Sequence, residues 1–507
     1  MPKSIADGRT FRNLSIPAKT RYTLPMAHYA CLDRLQTWLD SYLNFEKLPQ
    51  KNIFWLDTMA FLCKKCANPQ HAAPAFHVAG SKGKGSVAAM IASILDAAGY
   101  RTGLYTSPHI VDFSERIGGA HGAFGEIVYE HAAATLRQTI GALRKEDLPS
   151  GRNITWFEMV TLYAFLCFKE TKTDYNVLEV GLGGRLDATN VITPRLCCIT
   201  PIETEHTEFL GDTIAQIAAE KGGIIKNGVP VVISRQHPDA KAVFMRIAAE
   251  RNAKLYAIED IVQEIVTEYV SEQEKCAEKS LKNNTSSDNT DGRFSPPLMR
   301  TTIRSSLFAR PLEASLRLLG NVQAENAAQA AVAVKLALPG IDERTIEQGL
   351  ENTVLPGRFE IIARKKNGSF APAGKRTIVV MDGAHTVRSI AGTLQTFRAV
   401  FGTGNAHLLF ACAADKDIAD IAPLFRQGFS HITLTRPGTV KQSNLAALTQ
   451  AFDTAGLRYT SSEDFSAAIR DALCAAETTD VPLLVTGSFY LLAEVKKIIG
   501  TDAERAW

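Results

Sequence analysis

Short apolar runs alternate with stretches of helical period along most of this chain. Phe76, Val78 and Ala79 form a run suited to a buried strand, and Val87–Ala98 has the small and apolar residues of a buried helix. Thr102–Tyr105 reads as a second strand, Phe157–Phe168 as an apolar helix and Tyr175–Val180 as a buried strand of parallel type. Leu196–Pro201 (strand), Ile214–Ile225 (helix) and Val229–Ser234 (strand) continue the alternation. Upstream, Leu32, Leu35, Leu39 and Tyr42 recur at helical spacing, so residues 28–67 read as mostly helical. Such alternation predicts a parallel sheet covered by helices on both faces.

The pattern breaks at 271–297, a polar stretch with almost no aliphatics that reads as a mobile insertion. An alanine-rich helix over 318–338 follows, and the Pro-Gly punctuation in Val354–Phe359 suits a hinge. Beyond it the alternation restarts with strands at Thr377–Met381, Leu408–Cys412, Ile432–Thr435 and Leu483–Thr486. The expected fold is therefore α/β. An N-terminal domain with a parallel sheet spans 28–353, after an extension over 1–27. A smaller, C-terminal Rossmann-like α/β domain spans 354–507.

Composition narrows the class. A chain of 507 residues is long enough for two or three domains, and 46% hydrophobic residues can fill their cores. The formal charge of +3 gives no reason to expect nucleic acid as a partner. No apolar run reaches the ~18 residues of a membrane span. Nine cysteines without framework spacing fit reduced thiols and a cytoplasmic setting. The single Cys63-x-x-Cys66 pair lies in a helix-like segment, where packing is the expected role. In the first residues Lys3, Arg9, Arg12, Lys19 and Arg21 face one acid, Asp7, which reads as a solvated tail or an organellar presequence.

The chemistry starts at Val78–Ser86, VAGSKGKGS. Gly80, Gly83 and Gly85 allow tight turns and close approach to a ligand. The N–H groups at the start of the following helix would point at phosphate oxygens, with the helix dipole in support. Lys84 would add a point charge and Ser86 a hydroxyl. The string departs from G-x-x-x-x-G-K-[ST], because Val78 holds the first glycine position and Gly85 follows Lys84. A plain glycine-rich turn is thus the competing reading. Ser107, Glu179 and His206 follow neighbouring strands and offer magnesium donors, with the imidazole unusual among them. Taken singly, each is also what a satisfied strand end supplies. Lys221 and Lys226 flank Gly222-Gly223. Arg358 and Asp382 fall where two domains would face each other, so Arg358 reads either as a phosphate fork or as an interdomain ion pair.

With these residues in hand, the chain resembles the folylpolyglutamate synthase/dihydrofolate synthase family of the Mur ligase superfamily, over roughly residues 30–500. HVAGSKGKGS resembles the family's HVAGTNGKGS, and LYTSPHIVDFSERI its LYTSPHL…ERI. ITWFEMVTLYAF, LEVGLGGRLDATN, IAAEKGGIIK, LPGRFE and VTGSFYL match further family strings in order. The resemblance implies that Gly80, Ser81, Lys82, Gly83, Lys84, Gly85 and Ser86, with Asn326, Arg358 and Asp382, bind ATP. It implies Ser107, Glu179 and His206 as magnesium ligands, and Phe157 and Glu158 beside the pterin. Lys221 would be carbamylated to bridge a second magnesium. Lys84, Lys221 and His206 would be catalytic, and a monovalent cation is a further candidate cofactor. Departures are Lys82 for the bacterial asparagine, Gly222 for alanine, Thr386 for asparagine after DGAH, and ETEH in the segment that ends at His206.

The implied reaction is ATP-dependent amide formation between a carboxylate and the amine of L-glutamate, through an acyl phosphate. The carboxylate is dihydropteroate, a reduced folate, or both; a bifunctional monomer is expected, with no nucleic-acid or membrane partner. The alternatives are polyglutamylation only, another Mur-type amino-acid ligase, a P-loop kinase or nucleotide switch, and a catalytically dead binding protein. The last of these would be expected to lack Lys84 or Glu179, and both are present.

Overall fold

The computed structural model describes residues 29–500, apart from 43, 45–55, 272–295, 366–375 and 403, together with residues 503–505. Its N-terminal part is built on an eight-stranded sheet. The order is Gly122–Ala123, Ile117–Gly119, Thr102–Tyr105, Tyr175–Glu179, Ala75–Ala79, Leu196–Ile199, Val231–Ile233, Leu255–Ala257. The last six strands in that order run parallel. Ala75–Ala79 sits in the middle, buried along its whole length, as a run of apolar residues with both faces covered requires. Val78 is in register with Glu179 on one side and Cys198 on the other. Three strands thus end side by side where the chain switches direction across the sheet, which is where ligands bind in open α/β folds.

The second sheet has seven strands, in the order Thr460–Ser462, Phe429–Thr435, Ala406–Phe410, Leu483–Thr486, Arg376–Asp382, Glu360–Lys365, Ala503–Arg505. Its central strands are parallel, and Glu360–Lys365 joins antiparallel to Arg376–Asp382. Two features correct the expectation of purely parallel sheets. One is the Glu360–Lys365 strand; the other is the antiparallel edge at Ile117–Gly119 and Gly122–Ala123. Ile117–Gly119 and Gly122–Ala123 are joined through Ala120-His121 alone, so the chain folds back there as a hairpin.

A third sheet, of three antiparallel strands, was not expected: Val262–Val270, Leu298–Ser305 and Leu312–Leu316. Residues 272–295 of the polar insertion, and the extension 1–27, lie outside the described residues. The strands flanking the insertion pair from Val270 opposite Leu298. The alanine-rich helix runs Asn321–Ala337 and is buried on nearly every side, which small side chains permit. Cys63 and Cys66 close the helix Leu56–Lys65, both buried; Cys66 Sγ donates to Thr139 Oγ1 at 3.4 Å, and burial pushes the Cys63 thiol up to about 12. They pack, as expected. No described helix is long and apolar enough to cross a membrane.

Candidate active site

The loop after Ala79 is shaped by what surrounds it. Gly80 has φ 139°, and a Cβ there would collide with Thr200 at the end of the neighbouring strand. Gly83 has φ 90°, and a Cβ on it would stand 2.6 Å from Asn326 Oδ1. Ser81 and Lys82 donate their N–H groups to Pro201 O at 3.0 and 3.4 Å, which fixes the loop to the next strand. Gly83 is the N-cap of helix Lys84–Ala97 and offers no capping side chain. The first-turn N–H groups therefore face the loop without a side-chain acceptor, the arrangement that receives phosphate. Lys84 Nζ rests on Ser81 O at 3.3 Å, and Ser86 is buried below it.

Glu179 ends the adjacent strand. Its Oε2 accepts the Ser107 N–H at 2.9 Å. A Cβ on Gly85 would sit 3.4 and 3.6 Å from its two oxygens, so the first turn of the helix packs directly against this carboxylate. Burial pushes the Glu179 carboxyl up, against Lys84, the Ser107 N–H, Arg358 and Arg116. A buried carboxylate beside an open, phosphate-binding loop is a hard oxygen donor in want of countercharge, which fits magnesium. Ser107 and His206 belong to neighbouring loops; His206 is exposed, with left-handed φ 49°.

Lys221 lies beneath the loop, 2% exposed. Its Nζ donates to Gly80 O at 2.9 Å and to Glu205 Oε1 at 3.1 Å. Burial and then Lys84 lower its amine to about 8, against Glu205. Burial works to raise the Glu205 carboxyl, but Lys221, Lys84 and Lys82 outweigh it and hold the group below its usual range. Glu205 is a site residue the sequence reading passed over. Its signal was there: an acid following a buried strand, next to His206.

The second domain closes the cleft. Asp382 accepts the Phe359 and Ala384 N–H groups at 2.8 Å each, and the Thr393 hydroxyl at 3.1 Å. Arg358 lies over the Phe489 ring at 4.5 Å and is attracted to both Asp382 and Glu179, so it bridges the two domains electrostatically. Asn326 is buried, donates to Gln323 at 3.1 Å and reaches Gly83 from the alanine-rich helix. His385 sits in the same loop as Asp382, its Nδ1 at 2.8 Å from Gly383 O.

Phe157 and Glu158 open helix Trp156–Thr171. The Phe157 ring fills the space over Gly181, where any Cβ would meet it, two residues beyond Glu179. Glu158 is occupied otherwise. It completes a capping box with Thr155 and forms an ion pair with Arg152, so its visible work is to fix the start of the helix. Gly83 and Asn326, Gly85 and Glu179, and Glu179 with Lys84, Arg358 and Asp382 are brought together across one interdomain cleft, whereas Lys226 donates to Asn190 O at 2.9 Å.

Against known proteins, residues 78–334 match the Mur ligase middle domain and residues 357–489 the Mur ligase glutamate ligase domain. A folylpolyglutamate synthase of Lacticaseibacillus casei is 30% identical over 437 residues, 85% of this chain and 91% of the relative. A dihydrofolate synthase/folylpolyglutamate synthase of Bacillus subtilis is 29% identical over 468 residues, 91% of this chain and 97% of the relative. The Escherichia coli protein FolC, solved in complex with DHPP and ADP, superposes with a TM-score of 0.70 at 25% identity, covering 94% of this chain and 99% of that one. Likeness of this extent takes in both domains and the cleft between them, and the chain belongs to the folylpolyglutamate synthase/dihydrofolate synthase family of ATP-dependent Mur ligases.

Proposed function

We propose that the protein joins L-glutamate in amide linkage both to dihydropteroate and to reduced folates, using ATP. The observation that carries this is the meeting of the phosphate loop, Glu179, Arg358 and Asp382 in one cleft. The Escherichia coli relative with DHPP and ADP supports the choice of a pterin acceptor.

A carboxylate is a poor electrophile, so it must be activated. Its oxygen attacks the γ-phosphorus of ATP and ADP leaves; the glutamate amine then attacks the acyl carbon, and the C–O bond to phosphate breaks. The loop N–H groups and Lys84 hold the phosphates, and Arg358 adds a planar fork that suits their charged oxygens. Glu179, with Ser107 and His206, would hold magnesium. Bound there, magnesium would neutralise charge on phosphate oxygens. Lys221, with its amine lowered to about 8, is suited to carbamylation and to holding a second ion; we assign no residues to a monovalent cation. Phe157 offers an aromatic wall to the pterin, and the closed cleft keeps water from the acyl phosphate. Cysteines that are all unpaired among the described residues fit a cytoplasmic setting, and we propose a monomer.

Phosphate release with glutamate, comparing dihydropteroate, tetrahydrofolate and no pterin, tests the reading. Glutamylated product from both acceptors supports it. Product from tetrahydrofolate alone restricts the activity to polyglutamylation, and product from neither removes the folate assignment. Lys84→Ala is expected to abolish amide formation; wild-type turnover in that variant would remove the phosphate-loop role.

A further inference from the structure

Lys82 does not behave like its neighbour Lys84. Lys84 folds back on the loop carbonyl of Ser81, whereas Lys82 leaves the loop and reaches across the cleft. Its Nζ stands 3.6 Å from Glu205 Oε2 and 3.4 Å from His385 Nε2, a residue of the second domain. The direction of that second contact follows from the other side of the ring. His385 Nδ1 faces the Gly383 carbonyl at 2.8 Å, and a carbonyl can only accept. Nδ1 therefore carries the proton, Nε2 presents its lone pair, and the Lys82 ammonium donates to it.

These contacts link into a chain. Lys221 is bonded to Gly80 O under the phosphate loop and to Glu205 Oε1; Glu205 offers its other oxygen to Lys82; Lys82 reaches His385. Arg388 and Glu203 cross the same gap at 3.3 Å, but Arg388 is 78% exposed, and a pair so solvated holds little. Lys82 is mostly covered, with 26% of its side chain exposed, and so is the better-shielded tie between the domains on the cleft side.

We propose that Lys82 is a positioning residue, a latch that ties the phosphate loop to the second domain through His385, and not a ligand of the ATP phosphates. The proposal rests on the ligase reading above for its kinetic consequence, though not for its structural one. The latch holds the second domain over the cleft and fixes the His385 ring with Nε2 turned to the first domain. The glutamate amine has to approach an acyl phosphate in the closed cleft, so a loosened latch penalises the amino-acid half of the reaction. Nucleotide binding, which uses the loop N–H groups and Lys84, is left intact.

Two measurements on the full chain decide it. In the first, Lys82→Met and Lys82→Asn are titrated with a non-hydrolysable ATP analogue and assayed against glutamate. We expect analogue affinity within about twofold of wild type and kcat/KM for glutamate lower by about tenfold, with partial rescue in Lys82→Arg. Adding His385→Ala to Lys82→Met should then cost little more, because both remove one contact. Analogue affinity falling by about tenfold with an unchanged KM for glutamate would make Lys82 a phosphate ligand, and fully additive losses would break the link to His385. The second needs no turnover. A dye on exposed Cys474 in the second domain and another on an introduced Glu250→Cys in the first report the domain separation by energy transfer. Cys276→Ser removes one further thiol from the chain. Lys82→Met should broaden the distance distribution; a distribution equal to wild type overturns the latch whatever the acceptor. Wild-type protein without glutamate-dependent turnover, but with a separation that does depend on Lys82, would instead overturn the function and leave the latch standing.

Discussion

His77 sits in the middle of the Ala75–Ala79 strand, fully buried. Its Nε2 meets Thr189 Oγ1 at 2.8 Å, and its Nδ1 has no hydrogen-bond partner among the described residues. Burial, then the charge of Lys226, pushes its pKa from 6.5 down to about 3. The sign follows from linkage. Between these values the unfolded chain binds a proton that the folded chain refuses, so stability falls as pH drops through 6.5 towards 3. Burial raises Glu179 and Asp187, which titrate with the opposite sign on the acid side, so a single curve mixes the effects. The difference between wild type and His77→Gln isolates the histidine. Glutamine can still reach Thr189 but does not titrate, so chemical denaturation should show a shallower loss of stability from about pH 6.5 to about pH 4. Equal slopes would mean that His77 is not held neutral. Residue identities told part of the site's story in advance. Lys84 and Glu179 follow from strand ends and spacing, and Arg358 from its place where the two domains would face each other. The acid at Glu205 could be seen beside His206, but its partners could not, because Lys82 meets it in space from a distant part of the chain.

Two elements owe their placement to contacts that no local pattern reveals. Helix Glu343–Asn352 crosses helix Lys84–Ala97 at Gly349. A Cβ on Gly349 would run into the backbone of Ile94, and Ser93 Oγ donates to Gly349 O at 2.6 Å. Backbone cannot swing aside as a side chain can, so Gly349→Ala should destabilise the protein by about 1–3 kcal/mol or more. An unchanged Tm would show that the crossing has room. The loop carrying Arg358 is fixed in another way. Glu360 is wholly buried, accepts the Gly357 N–H at 2.8 Å and pairs with Lys496 of helix Phe489–Ile499 at 2.6 Å. Gly383 N–H holds Gly357 O, and Phe359 sits at left-handed φ 48° between these ties. Lys496→Met would strand the Glu360 charge, at a cost of about 3–5 kcal/mol, and weaken ATP-analogue binding through Arg358. Glu360→Gln added to it should recover much of the stability; no recovery would mean that packing, not charge, was lost. The Leu483–Thr486 strand could be read from sequence with its ends correct as a short apolar run, and Thr102–Tyr105 from its place after a buried helix in the alternation. The Val262–Val270 and Leu298–Ser305 pair could not. Its outer face is charged, with Glu264 against Arg304 and Glu268 against Arg300, and a polar insertion separates the partners.

At the scale of the whole molecule, the two sheets share one apolar core. A single cluster of buried side chains runs from Phe76 and Val78 through the alanine-rich helix and Leu319 to Phe359. It continues through Ala384, Ile390 and Leu394 to Phe410 and Leu484 in the second domain. Gly320 is part of the seam: its φ is 107°, and a Cβ there would stand 2.9 Å from Thr396 Oγ1 of the opposite domain. On the cleft side the ties are polar, from Lys82 to His385 and from Arg388 to Glu203. A dry floor and a wet mouth make different demands. The exposed Arg388–Glu203 tie can break and re-form in water at little net cost, whereas parting the floor would expose apolar area at about 25 cal/mol per Å². The floor therefore joins the two units, and neither domain should unfold without the other. Calorimetry is expected to give one unfolding transition, with calorimetric and van't Hoff enthalpies in agreement, despite two α/β units in the chain. A non-hydrolysable ATP analogue, binding across both units, should move that transition upward as a whole. Two resolved transitions, with only the first-domain one moved by nucleotide, would show that the shared core does not couple the domains. Closure would then have to be driven by the polar contacts alone.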